Sequence, residues 1–248
     1  MVFAIKMWNN TRMIVLVAVV AAIYAATLIA FKTAIPLIPG ITEVRVANIF
    51  PMTFGLLFGP AGAWGLAIGN LIGDIFGGTF GPASIAGFFG NFLLGFLPYT
   101  MWTTFIPFCE NQYKWNKKSY KSWWAYISIN LISSIACSII IGVAVDILGI
   151  APYEVISKII TLNNFIGGLI GIILLISVYD VTTKQLGLFW IDVLNVDVKK
   201  ISKTSMVGSW LVTVGSIIGI VGSFIVDVSI LNIKWLSVIF IVIGSILL

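Results

Sequence analysis

The sequence contains no histidine and only two cysteines, Cys109 and Cys137. The absence of histidine excludes imidazole-based acid–base catalysis and zinc sites that need a histidine ligand. Two cysteines offer too few soft ligands for a transition metal, so we expect no metal site and no bound cofactor. Cys137 lies inside an apolar segment, where a buried core position is the ordinary role of a single cysteine.

Charged residues are also scarce, because they make up only 9% of the 248 residues while hydrophobic residues make up 60%. Soluble domains average about 25% charged residues, and the mean hydropathy of this chain is +1.10. A soluble protein could not cover its surface with so few charges, which excludes a soluble enzyme, a nucleic-acid-binding domain and a disordered chain. The composition predicts an all-α polytopic protein of the cell membrane that contacts the lipid bilayer.

Polar residues divide the chain into eight apolar segments that predict helices. These segments cover residues 13–32, 46–58, 61–77, 84–106, 123–148, 155–181, 206–229 and 235–248. The second and third segments are short and are separated by Gly59 and Pro60. They predict either two short tilted helices or a re-entrant hairpin that is buried in protein.

The longest polar connection separates the last two predicted helices from the others. We therefore predict a six-helix core at residues 1–185, a cytoplasmic linker at 186–205 and a two-helix extension at 206–248. The extension has little machinery for chemistry, since Asp227 and Lys234 are its only charged residues.

Lysine and arginine positions predict the orientation, because cytoplasmic loops carry an excess of these residues. With the N-terminus inside, ten basic residues lie on the inner side: Lys6, Arg12, Lys114, Lys117, Lys118, Lys121, Lys184, Lys199, Lys200 and Lys203. Four lie on the outer side: Lys32, Arg45, Lys158 and Lys234. This ratio predicts that both termini face the cytoplasm.

Small residues recur every four positions on two of the predicted helices. In the first helix they form an alanine ridge of Ala18, Ala22, Ala26 and Ala30, which share one helix face. In the third helix they form a glycine ladder of Gly65, Gly69, Gly73, Gly77 and Gly81. Small residues let helices approach closely in lipid. The alanine ridge is thus either an intramolecular packing surface or a docking face for a separate membrane subunit.

Polar residues near the predicted outer side outline a pocket that opens outward. They are Glu43, Arg45, Asn48, Asn70, Asp74, Asn91, Asn163 and Asn164. Polar groups inside a membrane are costly unless they are paired, and they face the bundle interior or a cavity. Two simpler interpretations stay open here, namely an interfacial position for Asp74 and a structural ion pair between Glu43 and Arg45.

Several runs of this sequence resemble the S components of energy-coupling factor (ECF) vitamin transporters. They are EVRVANIFP at 43–51, FGLLFGPAGAWG at 54–65, GNLIGD at 69–74, GNFL at 90–93 and LPY at 97–99. The resemblance covers about residues 12–185, and six core helices with both termini inside fit the same family. Residues 186–248 lie outside it.

The resemblance implies high-affinity binding of a small water-soluble vitamin or related micronutrient at the extracellular face. It also implies a membrane T component, on which the alanine ridge would dock, and two cytoplasmic ATPase subunits that drive release into the cell. The chain has no G-x-x-x-x-G-K-[ST] phosphate-binding loop and is expected not to be an enzyme. Because the loop between helices 1 and 2 covers the site in this family, Glu43, Arg45 and Asn48 are the first candidates for ligand contact.

Two other functions are compatible with parts of the sequence. A self-contained secondary transporter or channel would use short segments broken by glycine and proline, but the other half of the chain lacks a matching pair. An intramembrane enzyme would have to rely on carboxylates such as Glu43 and Asp74.

Overall fold

The computed structural model describes residues 1–31, 36–38, 42–43, 45–105, 114–196, 202–224 and 230–248, with backbone only for 36–38, 42–43 and 230–232. Within these ranges the α-helices are α1 Val2–Lys6, α2 Thr11–Phe31, α3 Pro51–Phe58, α4 Pro60–Phe76, α5 Pro82–Thr104, α6 Tyr120–Ile147, α7 Tyr153–Asp180, α8 Trp190–Val193, α9 Lys203–Gly222 and α10 Ile230–Leu247. Two short strands, β1 Pro36–Ile38 and β2 Thr42–Glu43, pair antiparallel between α2 and α3.

Each of the eight predicted segments contains a helix, and the helical membrane class is confirmed. Five described stretches are long and apolar enough to cross a membrane: α2, α5, α6, Tyr153–Val193 and α9. The described part of α10 is shorter, at Ile233–Leu247. The described residues also contain the short paired strands β1 and β2, which connect α2 to the 3-10 turn before α3. Cys137 is buried in α6, as predicted.

The second predicted helix, at 46–58, is divided into two parts. Val46–Ile49 forms a 3-10 turn, and α3 begins at Pro51. Proline has no backbone N–H to continue the earlier turn, and its fixed φ suits the first position of a helix. The eight residues of α3 span only about 12 Å. Gly59, with a φ of +55° that favours glycine, then turns the chain into α4.

The helices α2 to α7 pack as a bundle in which α2 lies against α4, α4 against α5, α5 against α6 and α6 against α7. The 3-10 turn and α3 pack on α7 and close the bundle. We call the end at which α2 and α6 finish the upper end, and the end at which α5 finishes and α6 begins the lower end. At the lower end, Trp190 of α8 covers Gly59, so the first half of the 186–205 segment belongs to the core.

Glycines of α4 allow α2 to approach closely. A Cβ added to Gly65 would lie 2.5 Å from the Val20 side chain, and one added to Gly69 would lie 2.8 Å from the Ala21 carbonyl oxygen. The two helices can lie this close together only because α4 has no side chain at these two positions. Gly65, Gly69 and Gly73 of the glycine ladder therefore pack against α2, which fixes the face that α2 turns inward.

The extension α9–α10 packs mainly on α6. Lys234 of α10, which is buried, forms an ion pair with Asp146 of α6. The Tyr153 hydroxyl donates to the Gly219 carbonyl at 2.8 Å. These contacts attach α9 and α10 to the upper halves of α6 and α7.

A substitution at Gly65 tests the α2–α4 contact. Gly65→Ala is expected to lower the free energy of unfolding by about 1–3 kcal/mol, because the added methyl overpacks the interface with Val20. Gly81→Ala is the matched control, since a Cβ there meets no atom within 4 Å. Thermal unfolding of the purified protein measures both, and equal midpoints for the two variants would contradict the close approach.

Candidate substrate-binding site

Arg45 joins the loop that precedes the 3-10 turn to two helices of the bundle. Its backbone N–H donates to Asn163 Oδ1 of α7 at 3.2 Å, and its guanidinium donates to Asn70 Oδ1 of α4 at 3.2 Å. The side chain of Arg45 is half-buried. This residue therefore holds α4 and α7 together at the upper end of the bundle.

Asn70 also forms a hydrogen bond with a carboxylate. Its Nδ2 donates to Asp74 Oδ2 at 3.3 Å, one helical turn later, and Thr79 Oγ1 lies 3.5 Å from Asp74 Oδ1. Asn70 is fully buried, whereas Asp74 is half-buried. A cation, an amide and an anion thus form one line of hydrogen bonds, which we call the Arg45–Asn70–Asp74 relay.

A second pair of amides lies deeper, between the 3-10 turn and α7. Asn48 Nδ2 donates to Asn164 Oδ1 at 2.8 Å, and both side chains are buried. A Cβ on Gly167 would lie 2.5 Å from Asn48 Cβ, so this glycine permits the turn to sit on α7. Asn164 Nδ2 has no hydrogen-bond partner among the described residues. It is a buried donor beside the relay, and an unpaired buried donor costs about 1–3 kcal/mol.

Asn91 is placed differently from the other predicted site residues. Its Oδ1 accepts from the Tyr24 hydroxyl at 2.8 Å, and its Nδ2 donates to the Gly87 carbonyl at 2.8 Å. Asn91 therefore links α5 to α2. Sequence reasoning missed Tyr24, although a hydroxyl inside an apolar helix signals that a partner is needed.

Three more polar residues missed from the sequence lie next to the Asn48–Asn164 pair. Asn130, Tyr126 and Thr53 each donate to a backbone carbonyl of α7, at 2.9, 2.7 and 3.0 Å respectively. All three are buried. An asparagine within a membrane helix is itself a signal for an interior position, so Asn130 could have been found in this way.

The structure thus distributes the predicted site residues among distinct groups. Arg45, Asn70, Asp74 and Asn163 form one connected group, Asn48 and Asn164 form a second, and Asn91 pairs with Tyr24. The Glu43 backbone belongs to β2, but its side chain lies outside the described residues. No three acidic, cysteine or histidine side chains come together as a metal site within the described ranges.

The alanine ridge faces away from the bundle. Ala18, Ala22, Ala26 and Ala30 are all exposed. In contrast, Ala21 and Ala25 are only 4% and 3% exposed and lie on the face that packs inward. The ridge is therefore not used for packing among the described helices, and it offers a smooth exposed surface along α2.

Comparison with known proteins identifies the family. A family model described as QueT transporter matches residues 14–180, a range that contains α3 to α7 and all eight predicted ligand-contact residues. No curated protein and no solved structure matches the chain. The match covers well over half of the sequence, so the chain belongs to the QueT transporter family, a family of ECF S components.

Proposed function

We propose that this protein binds a queuosine precursor at the extracellular face and delivers it into the cell as the S subunit of an ATP-driven ECF-type transporter. The observation that carries the proposal is the family match over residues 14–180, the region that holds the buried polar groups at the upper end. The transporter family indicates that the chain is not an enzyme. ATP hydrolysis is assigned to two separate cytoplasmic ATPase subunits.

The chemistry of the upper site suits such a ligand. Queuosine precursors are guanine-like bases, so their edges carry several hydrogen-bond donors and acceptors. Asp74 can accept from an amino group of the ligand, while Arg45 and the unpaired Nδ2 of Asn164 can donate to its ring and carbonyl acceptors. A site built from buried polar groups rejects ligands that leave those groups unpaired. Glu43 and Asn48 complete the proposed contact set from the loop and the 3-10 turn.

In the proposed orientation, this site lies outside the cell. Ten basic residues against four favour cytoplasmic termini, and the upper end then faces outward. The lower end, with Lys114, Lys184 and α8, faces the cytoplasm. A ligand captured at the upper site must therefore cross the thickness of the bundle, and the proposed ATPases would drive this step.

The alanine ridge is proposed as the surface on which the T component docks. Its exposure supports this role, because small residues allow a partner helix to approach within van der Waals contact. The extension packs on α6, whereas α2 packs on α4. The two additional helices therefore leave the ridge uncovered.

Ligand binding tests the upper site. Asp74→Asn is expected to weaken binding of 7-aminomethyl-7-deazaguanine by tenfold or more, because a hydrogen bond to a charged group contributes about 1.5–3 kcal/mol. Isothermal titration calorimetry on the detergent-purified protein measures the dissociation constant. Asp180→Asn serves as the control, since Asp180 is exposed on α7 and pairs only with Lys184 among the described residues. The same dissociation constant for Asp74→Asn and the unchanged protein would remove Asp74 from the site.

Uptake tests the docking surface separately. Ala22→Trp is expected to abolish ATP-dependent uptake of the same base in cells that express the T component and ATPases, while binding by the purified variant stays unchanged. The bulky indole would hold the partner helix away from α2. Ile173→Trp, at a residue of α7 that is 67% exposed, should leave uptake intact.

Two results would contradict the proposed coupling. Normal uptake by Ala22→Trp would show that the ridge is not a docking surface. Uptake into liposomes by the purified chain alone, without ATP, would instead indicate a self-contained secondary transporter.

A further inference from the structure

A small cavity lies at the lower end of the bundle, among aromatic side chains. Its walls include Tyr99 and Trp102 of α5, Trp115 from the segment before α6, Tyr179 of α7 and Trp190 of α8. The cavity has a volume of about 10 Å³. Neither the family match nor the proposed upper site assigns any role to this cavity.

Four of the cavity-lining residues carry buried polar atoms without a hydrogen-bond partner among the described residues. These atoms are the hydroxyls of Tyr99 and Tyr179 and the indole Nε1 atoms of Trp102 and Trp115. Tyr99 is 2% exposed, Trp102 3% and Trp115 8%. An unpaired buried donor or acceptor costs about 1–3 kcal/mol, and four around a single cavity point to a shared partner.

The volume of the cavity limits the size of that partner. A cavity needs about 10–15 Å³ by this measure to hold one water molecule. A cavity of about 10 Å³ is at the lower limit for one water and is too small for a base, a lipid headgroup or another organic ligand. Buried waters typically make two to four hydrogen bonds to polar groups that would otherwise be unpaired.

A water molecule can supply the acceptor that each indole N–H needs and a donor for each hydroxyl oxygen. An indole N–H can only donate, whereas a tyrosine hydroxyl can also accept. A water molecule accepts two hydrogen bonds and donates two. We propose that this cavity is a water-binding site, in which one ordered water accepts from Trp102 and Trp115 and donates to the hydroxyl oxygens of Tyr99 and Tyr179.

The bound water would fasten segments that are distant in sequence. It joins α5, α7 and the segment before α6. Aromatic rings already meet there: the ring centroids of Trp102 and Trp115 lie 6.1 Å apart, and those of Tyr99 and Trp190 lie 5.0 Å apart. Sixteen helical residues, or about 24 Å, separate Tyr179 from Asn163 at the upper site. The water site is therefore independent of ligand binding at the upper site and of the function proposed for it.

Hydroxyl-radical footprinting of the purified full chain tests the site, because radiolysis of an ordered buried water oxidises the side chains beside it. Tyr99 is expected to be oxidised at least fivefold faster than Tyr24 and Tyr126, which are equally buried but have protein partners for their hydroxyls. Equal rates at Tyr99 and these two tyrosines would overturn the proposal.

A cavity-filling variant provides the second measurement. Leu56→Phe places a larger side chain at a residue that lines the cavity, and it is expected to bring the oxidation rate of Tyr99 down to that of Tyr24. Leu57→Phe is the matched control, because Leu57 is buried but does not line the cavity. Rapid oxidation of Tyr99 that persists in Leu56→Phe would mean that the radicals arise elsewhere, and the water assignment would fail.

Discussion

The hydrocarbon interior of a bilayer offers no hydrogen bonds, so each polar side chain of this protein must find its partner inside the bundle. The helices are arranged around that requirement. Arg45, Asn48, Tyr24 and Asn130 all reach across to another helix, and their partners are side-chain amides or backbone carbonyls. Glycines on α4 and α7 bring the backbones close enough for these bonds to form. Packing and polar pairing are consequently two aspects of one constraint.

That constraint also explains why the proposed binding groups accumulate at one end. The upper end contains the relay, the Asn48–Asn164 pair and the half-buried Asp74, where the 3-10 turn replaces a full helix. A short helix leaves room for side chains from α4 and α7 to approach the loop. Apolar side chains make up most of the core in the remainder of the bundle.

Several features could be predicted from the sequence because they depend on local patterns. Hydropathy located the helices. The four-residue spacing of Asn70 and Asp74 placed them on one helix face, where Asn70 Nδ2 lies 3.3 Å from Asp74 Oδ2. Pairs distant in sequence, such as Asn48 and Asn164, could not be derived, because they depend on how the 3-10 turn packs on α7. Pro51 was visible in the sequence, yet the segment 46–58 was predicted as one helix, whereas the structure has a 3-10 turn before Pro51 and a helix after it. The spacing of the alanines indicated a ridge, but its direction followed only from the packing of Gly65 and Gly69 on the opposite face of α2.

The ion pair between Asp146 and Lys234 has a consequence for biogenesis. Lys234 belongs to α10, which is synthesised after α6, and an unpaired lysine in a membrane helix costs up to about 2.5–3.5 kcal/mol during insertion, the value at the helix centre. Asp146, synthesised almost ninety residues earlier, must already be in place to receive it. Stable insertion of α10 is therefore conditional on the earlier assembly of α6, and the order of synthesis becomes part of how this chain acquires its fold.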